Sequence, residues 1–187
     1  TMHYTPGWDW IVAVKDRNTG IWDEVSITTT GAVKLSDPYV VTKVPGARKP
    51  SDKVQKDALV KTSVSLENNS PAAVSGNVIC QTAGTTLSVP VTLAAWEKKE
   101  VSFKDIKVKN PKLWWPNGFG DHPLYTVSVH ALDMNGNQWD SKTYRIGLRT
   151  LSVSQERDEF GREFCFICNG IKFFAMGADY IPEDNLI

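Results

Sequence analysis

Cysteines, histidines and carboxylates are the side chains here that could do chemistry, and their spacing is the first thing to weigh. Cys165-x-x-Cys168 has the form of a metal or redox pair. On a strand, however, positions i and i+3 point to opposite faces. Two thiolates so placed do not converge on one ion. Cys80 lies far away in sequence and no second pair completes a zinc site. The three cysteines are therefore expected as packed thiols. His3, His122 and His130 fall in three separate elements without ligand spacing, so no metal site and no cofactor are expected. There is no phosphate loop and no nucleophile elbow.

Carboxylates need more care, because two of them placed across a bound sugar can cleave a glycosidic bond. Glu156, Asp158, Glu159 and Glu163 cluster in a polar stretch with nothing apolar to raise a pKa, and read as surface charge. Glu183 and Asp184 follow Pro182 and suit a helix start, where acids meet the positive end of the dipole. No pair reads as catalytic, so the catalytic set is empty. Two acids do sit among aromatics: Asp9, between Trp8 and Trp10, and Asp179, beside Tyr180. Such an acid can hydrogen-bond sugar hydroxyls while the ring stacks on the apolar sugar face. The competing reading is that Asp9 satisfies backbone groups inside a core.

The elements that must position these residues read as strands. Asn110 to Tyr125 holds Trp114-Trp115, prolines at 111, 116 and 123, and glycines at 118 and 120. Prolines so placed forbid a helix, and the loop runs into a strand in which Tyr125, Val127, Val129 and Ala131 alternate with polar residues. A loop this apolar is expected to pack into the core. Further strands are expected at Ile21–Ile27, Val33–Val44 (interrupted at Asp37-Pro38), Leu59–Glu67, Val74–Thr82, Thr86–Leu93, Glu100–Val108, Leu124–Asp133 and Gln138–Leu151. Asn135-Gly136 marks a hairpin. Seven strands after residue 29, at short regular spacing, indicate an immunoglobulin-like sandwich. Beyond Leu151 the pattern changes. Glu163–Cys168 and Ile171–Met176 flank a second hairpin signal, Asn169-Gly170. The apolar second arm reads as a strand buried on both faces, as in a parallel barrel.

Composition bounds the class. The chain has 187 residues, of which 41% are apolar, and its formal net charge is zero. That is ordinary for a domain with a core. Interspersed charge argues against nucleic-acid or anionic-membrane partners, and no apolar run is long enough to span a membrane. Both ends read as cut, and no signal peptide is present.

Several segments, taken in order, resemble glycoside hydrolase family 2, especially its β-mannosidase and exo-β-glucosaminidase branches and, more loosely, β-galactosidase. They are Tyr4-Thr5-Pro6-Gly7-Trp8-Asp9-Trp10, Asp16 to Trp22, Asp37-Pro38-Tyr39-Val40, Leu113-Trp114-Trp115-Pro116-Asn117-Gly118, Pro123-Leu124-Tyr125, Gly147-Leu148-Arg149, Phe164 to Gly170, and Gly177-Ala178-Asp179-Tyr180-Ile181-Pro182. The resemblance implies an all-β chain in three parts. Residues 1–28 would end a jelly-roll sugar-binding domain, residues 29–150 would be the immunoglobulin-like sandwich, and residues 151–187 would lead into the first strand of a catalytic (β/α)8 barrel. It also implies that both catalytic glutamates lie beyond Ile187, so this chain would have no glycosidase activity alone. The parent enzyme would be a retaining exo-β-glycosidase. Asp9, with Trp8 beside it, would reach the sugar, as would Asp179 and Tyr180 at the end of the first barrel strand. The family more often has Asn at the position of Asp179, and Ile11-Val12-Ala13-Val14 replaces a Pro- or Gly-rich stretch. The resemblance thus does not choose between mannosidase and glucosaminidase. The implied partners are a carbohydrate substrate and the jelly-roll and barrel domains of the same chain. An extracytoplasmic location follows if the parent degrades glycans. The rival reading is a stand-alone sandwich module that binds carbohydrate or protein.

Overall fold

The structure, a computed structural model, describes residue 21 and residues 23–179. All regular structure among them is β. Thr30–Ala175 form one compact unit.

Eight strands build two sheets. The first sheet holds β1 (Val33–Lys43), β2 (Ala58–Asn68), β5 (Lys98–Ser102) and β6 (Ile106–Val108), with β2 central. The second holds β3 (Val74–Thr82), β4 (Thr85–Leu93), β7 (Tyr125–Asp133) and β8 (Gln138–Ile146), in the order β4-β3-β7-β8. All pairings are antiparallel. The chain crosses between sheets after β2, after β4 and after β6, the connectivity of an immunoglobulin-like sandwich.

Period-two alternation produces the core. On β2, Ala58, Val60, Thr62, Val64 and Leu66 point inward and are buried. They meet Val78 and Cys80 of β3 and Val127, Val129 and Ala131 of β7, all buried. Each fully buried Val or Leu contributes about 1.5–3 kcal/mol, so these positions hold the sheets together. Two polar side chains stitch the sandwich. Asp140, buried on β8, accepts the Leu35 N–H at 2.8 Å, serving the free edge of β1. Asn68, fully buried, donates its Nδ2 to the carbonyls of Ala72 at 2.8 Å and Ala94 at 2.7 Å, tying two turns together.

The expected strands at Val33–Val44, Leu59–Glu67, Val74–Thr82, Thr86–Leu93 and Leu124–Asp133 are present within a residue. The Asp37-Pro38 interruption is a bulge: the register shifts between Ser36 and Tyr39, and Asp37 adopts a φ of 50°. Other expectations are corrected. Glu100–Val108 is two strands, because residues 103–105 face only residues 61 and 62 between the Ser63–Ser102 and Val60–Ile106 pairs. Gln138–Leu151 stops at Ile146, and Leu151 opens a new strand. The described residues of Ile21–Ile27 form no strand; Ile21, Val25 and Ile27 are exposed, and no described strand pairs with them.

A third, three-stranded sheet follows: β9 (Leu151–Ser154), β10 (Cys165–Cys168) and β11 (Ile171–Phe173), in the order β11-β10-β9. Its second arm is shorter than the apolar run Ile171–Met176. Phe174 and Met176 are 79% and 80% exposed, so burial on both faces is not found here. Among the described residues β11 pairs only with β10, and the chain beyond Phe173 is in no strand.

Candidate functional site

Side chains from distant parts of the chain converge where the three-stranded sheet meets the sandwich. The tryptophan loop between β6 and β7 is the centre. Trp115 is 5% exposed and belongs to the core. Its N–H donates to the Asp121 carbonyl at 3.0 Å, closing the loop on itself. Trp114 is half-buried and lies over Gly147, where an added Cβ would stand 2.8 Å from the Trp114 Cβ. Only glycine lets the ring approach that closely. The Arg149 guanidinium carbon stands 4.0 Å from the centre of the Trp114 ring, a cation–π contact. His122 meets the same ring edge-on, with centroids 5.6 Å apart. Trp114 N–H donates to the Leu148 carbonyl at 3.0 Å. Thus the expected anchoring of this loop is found.

The Asn169-Gly170 turn between β10 and β11 plugs into the same place. Asn169 is fully buried. Its Nδ2 donates to the Trp114 carbonyl and its Oδ1 accepts from Thr150 N–H, each at 3.0 Å. Its own N–H donates to the Thr150 carbonyl, and its carbonyl accepts from Arg48 N–H, each at 2.9 Å. Gly170, with φ 79°, lies so close to the 46–47 backbone that an added Cβ would stand 2.5 Å from the Ala47 Cα. Arg48 is 4% exposed and gives its guanidinium to the carbonyls of Pro45 at 2.8 Å, Lys56 at 2.7 Å and Asp57 at 3.1 Å. A buried charge must be hydrogen-bonded, and these three bonds also fix the 45–57 loop. Thr150 Oγ1 accepts from Val44 N–H at 2.7 Å, and Thr42 Oγ1 donates to the Arg149 carbonyl at 2.6 Å. The result is a joint knit by backbone and side-chain hydrogen bonds around the buried Asn169 and Arg48.

This joint holds no acid pair and no nucleophile within reach of a base. Cys168 is buried in it, and burial pushes its thiol above the ordinary range. Cys80 is likewise buried and pushed up by desolvation. Cys165 is half-buried on β10, and all three thiols are free. Among the described residues no group of three His, Cys, Asp or Glu could hold a metal ion. Of the acids at 156, 158, 159 and 163, two, Glu156 and Glu163, are ion-paired, both to Lys172. Lys172 Nζ lies 2.7 and 2.8 Å from the two Glu163 oxygens, Ser154 donates to Glu163, and Glu156 is 4.0 Å from Lys172. The lysine hydrogen bond first, and the serine second, hold the Glu163 carboxyl below the usual range.

Of the residues singled out as sugar contacts, Trp8, Asp9 and Tyr180 lie outside the described residues. Asp179 is described; it is exposed and in no strand. Arg48, Thr150 and Asn169 were not legible as a unit. Asn169 reads as a turn residue, and its partners Thr150 and Trp114 stand 19 and 55 residues away.

Comparison with known proteins places this architecture. The chain is 30% identical to a mannosylglycoprotein endo-beta-mannosidase of Lilium longiflorum, over 98% of its own length and 19% of the relative's. It is 32% identical to beta-mannosidase B of Emericella nidulans, over 98% of the chain and 20% of the relative. An exo-beta-D-glucosaminidase of Arthroderma benhamiae is 32% identical over 94% of the chain and 19% of that protein. The chain thus spans about a fifth of the length of these curated relatives. Among solved structures, the exo-chitosanase of Amycolatopsis orientalis superposes with a TM-score of 0.70 at 27% identity, over 82% of this chain and 17% of that one. The beta-D-mannosidase of Dictyoglomus thermophilum gives 0.62 at 26% identity, over 81% and 18%. Residues 41–149, from within β1 to the cation–π arginine, match the sequence profile of Glycosyl hydrolases family 2, and the chain belongs to that family.

Proposed function

We propose that this chain is the non-catalytic linking segment of a larger exo-acting β-glycosidase, of mannosidase or glucosaminidase type. Its sandwich, residues 29–150, holds a sugar-binding jelly roll, ending near residue 28, against a catalytic barrel entered through residues 151–187. The observation that carries this reading is the buried Asn169 joint, in which four hydrogen bonds and the Gly170 contact hold the outgoing hairpin rigidly to the sandwich. A rigid joint is what a spacer needs if catalytic geometry is to be kept, since small misplacements are costly to rate. Similarity to mannosidases along the whole chain, at a fifth of their length, supports the same assignment. In this reading Asp9 and Trp8, with Asp179 and Tyr180, border the sugar site of the complete enzyme, and the two glutamates of the retaining mechanism are supplied elsewhere in it.

The test has two arms. The 187-residue chain, purified to homogeneity, is expected to leave aryl β-mannoside, β-glucosaminide and β-galactoside uncleaved; turnover above blank overturns the non-catalytic assignment. In the complete enzyme Asp9→Asn is expected to lower kcat/KM at least about tenfold, as loss of a charged hydrogen bond to a hydroxyl implies. An enzyme unaffected by that change would remove Asp9 from the sugar site.

A further inference from the structure

Three Asn-Gly pairs stand in the chain: Asn117-Gly118, Asn135-Gly136 and Asn169-Gly170. Such a pair can modify itself. The glycine backbone nitrogen attacks the asparagine side-chain amide carbon, a C–N bond forms, and ammonia leaves with the displaced proton. Water then opens the five-membered succinimide to aspartate or isoaspartate, with no oxidant or enzyme required. The reaction needs a free glycine N–H, a side-chain amide that can turn toward it, and access to water. Hydrogen bonds or burial at either group must first open, and opening free energies vary widely across a fold.

The fold separates the three pairs on these requirements. Asn169 is fully buried and its amide is held at both ends, to Trp114 and to Thr150. Asn135 is exposed, but Gly136 N–H, the attacking group, donates to the Asp133 carbonyl at 3.1 Å. The same turn is pinned by Asp133, whose Oδ1 accepts from Asn135 N–H at 2.8 Å and from Asn137 N–H at 2.7 Å. Asn117 carries none of these restraints. It is exposed, and among the described residues neither its side chain nor Gly118 N–H has a hydrogen-bond partner. Gly118 has no neighbour within 4 Å of an added Cβ, so the space beside its Cα is open.

We propose that Asn117 is a self-modification site: it deamidates in the folded chain ahead of Asn135 and far ahead of Asn169. The position matters. Asn117 sits in the turn closed by Phe119 N–H to the Pro116 carbonyl at 3.0 Å, within the loop that carries Trp114 and Trp115. The isoaspartate product routes the backbone through the side chain and adds one atom between residues 117 and 118. Phe119, whose ring meets Phe173 of β11 edge-on at 5.3 Å, is the next residue but one. Ageing at Asn117 therefore acts on a contact between the sandwich loop and the three-stranded sheet.

The experiment is peptide mapping of the full 187-residue chain after incubation at mildly alkaline pH, with fragment ions to place each amide-to-acid conversion. Conversion at Asn117 is expected at least about threefold faster than at Asn135 and at least about tenfold faster than at Asn169, as the opening each requires implies. In denaturant the three rates should converge, and Asn117→Gln should remove the leading product. An Asn117 that converts no faster than Asn135, or an Asn169 that keeps pace, overturns the proposal. So does the same order of rates in denaturant, since that would assign the ranking to neighbouring sequence and not to the fold.

Discussion

Trp114 and Trp115 are adjacent and chemically identical, yet the structure gives them different work. Trp115 is core, while Trp114 is a half-buried lid that Arg149 covers. Trp115→Ala is expected to cost about 3–5 kcal/mol, as for a buried aromatic cut to a methyl. Trp114→Ala is expected to cost less, about 1–3 kcal/mol, from partial burial and one cation–π contact. Thermal melting of the two variants checks the order. A larger loss at Trp114 would mean that the loop is anchored the other way round, and equal losses that the two rings share the anchoring. That one of the pair must be an anchor was legible from the prolines and the following strand. Which one was not, because the two side chains differ only in what the folded chain places above them.

At the scale of elements, the β9–β11 sheet is closed at its polar end by Glu163 and Lys172, and its pH response follows from them. Lys172, through its hydrogen bond, holds the Glu163 carboxyl low, and Glu163 in turn raises Lys172 above its usual range. A carboxyl lowered in the folded state stabilises above its unfolded value and loses that contribution as pH falls through its folded value. A lysine raised in the folded state stabilises below its unfolded value and loses the contribution as pH rises through its folded value. The pair is therefore worth most between 4.5 and 10.5, the unperturbed values of the two groups. Both groups meet solvent, so the effect is modest and weakened by salt. Lys172→Met should lower the melting temperature near neutral pH, and the gap to the parent chain should close as the solution is acidified below the ordinary glutamate range. A gap that stays constant down to pH values where Glu163 is protonated would show that the pairing is not what the substitution removed. The acidic run was readable as surface charge. Its pairing was not, because Lys172 lies nine residues from Glu163 and meets it only once the hairpin folds.

For the molecule as a whole, the three thiols report on integrity. Cys80 sits in the sandwich core and Cys168 in the joint, both essentially unexposed, while Cys165 is half-buried on the outer part of β10. Burial raises the pKa of the first two, which lowers their thiolate fraction as well as their access. An aromatic disulfide reagent is expected to modify one thiol, Cys165, in the folded chain. The other two should react only as the chain unfolds, together with loss of the β-sheet circular-dichroism signal. Fast reaction of Cys168 while Cys80 stays protected would mean that the joint opens independently of the sandwich.

The sequence alone determined five of the sandwich strands to within a residue, and the buried faces of those at 58–68 and 125–133. Alternation along 58–68 and 125–133, and turn residues at 135–136 and 169–170, are local signals, and strand geometry converts them directly into pleat and hairpin. It also carried the ordered motifs by which the family resemblance was drawn. Only the tertiary structure decided the joint. Asn169, Thr150, Trp114 and Arg48 come from four separate stretches, and what makes them a unit is that the buried Asn169 hydrogen-bonds to each of the other three. A buried polar group must find a partner wherever the fold supplies one. That requirement leaves no periodicity in the chain, so no reading of spacing reveals it.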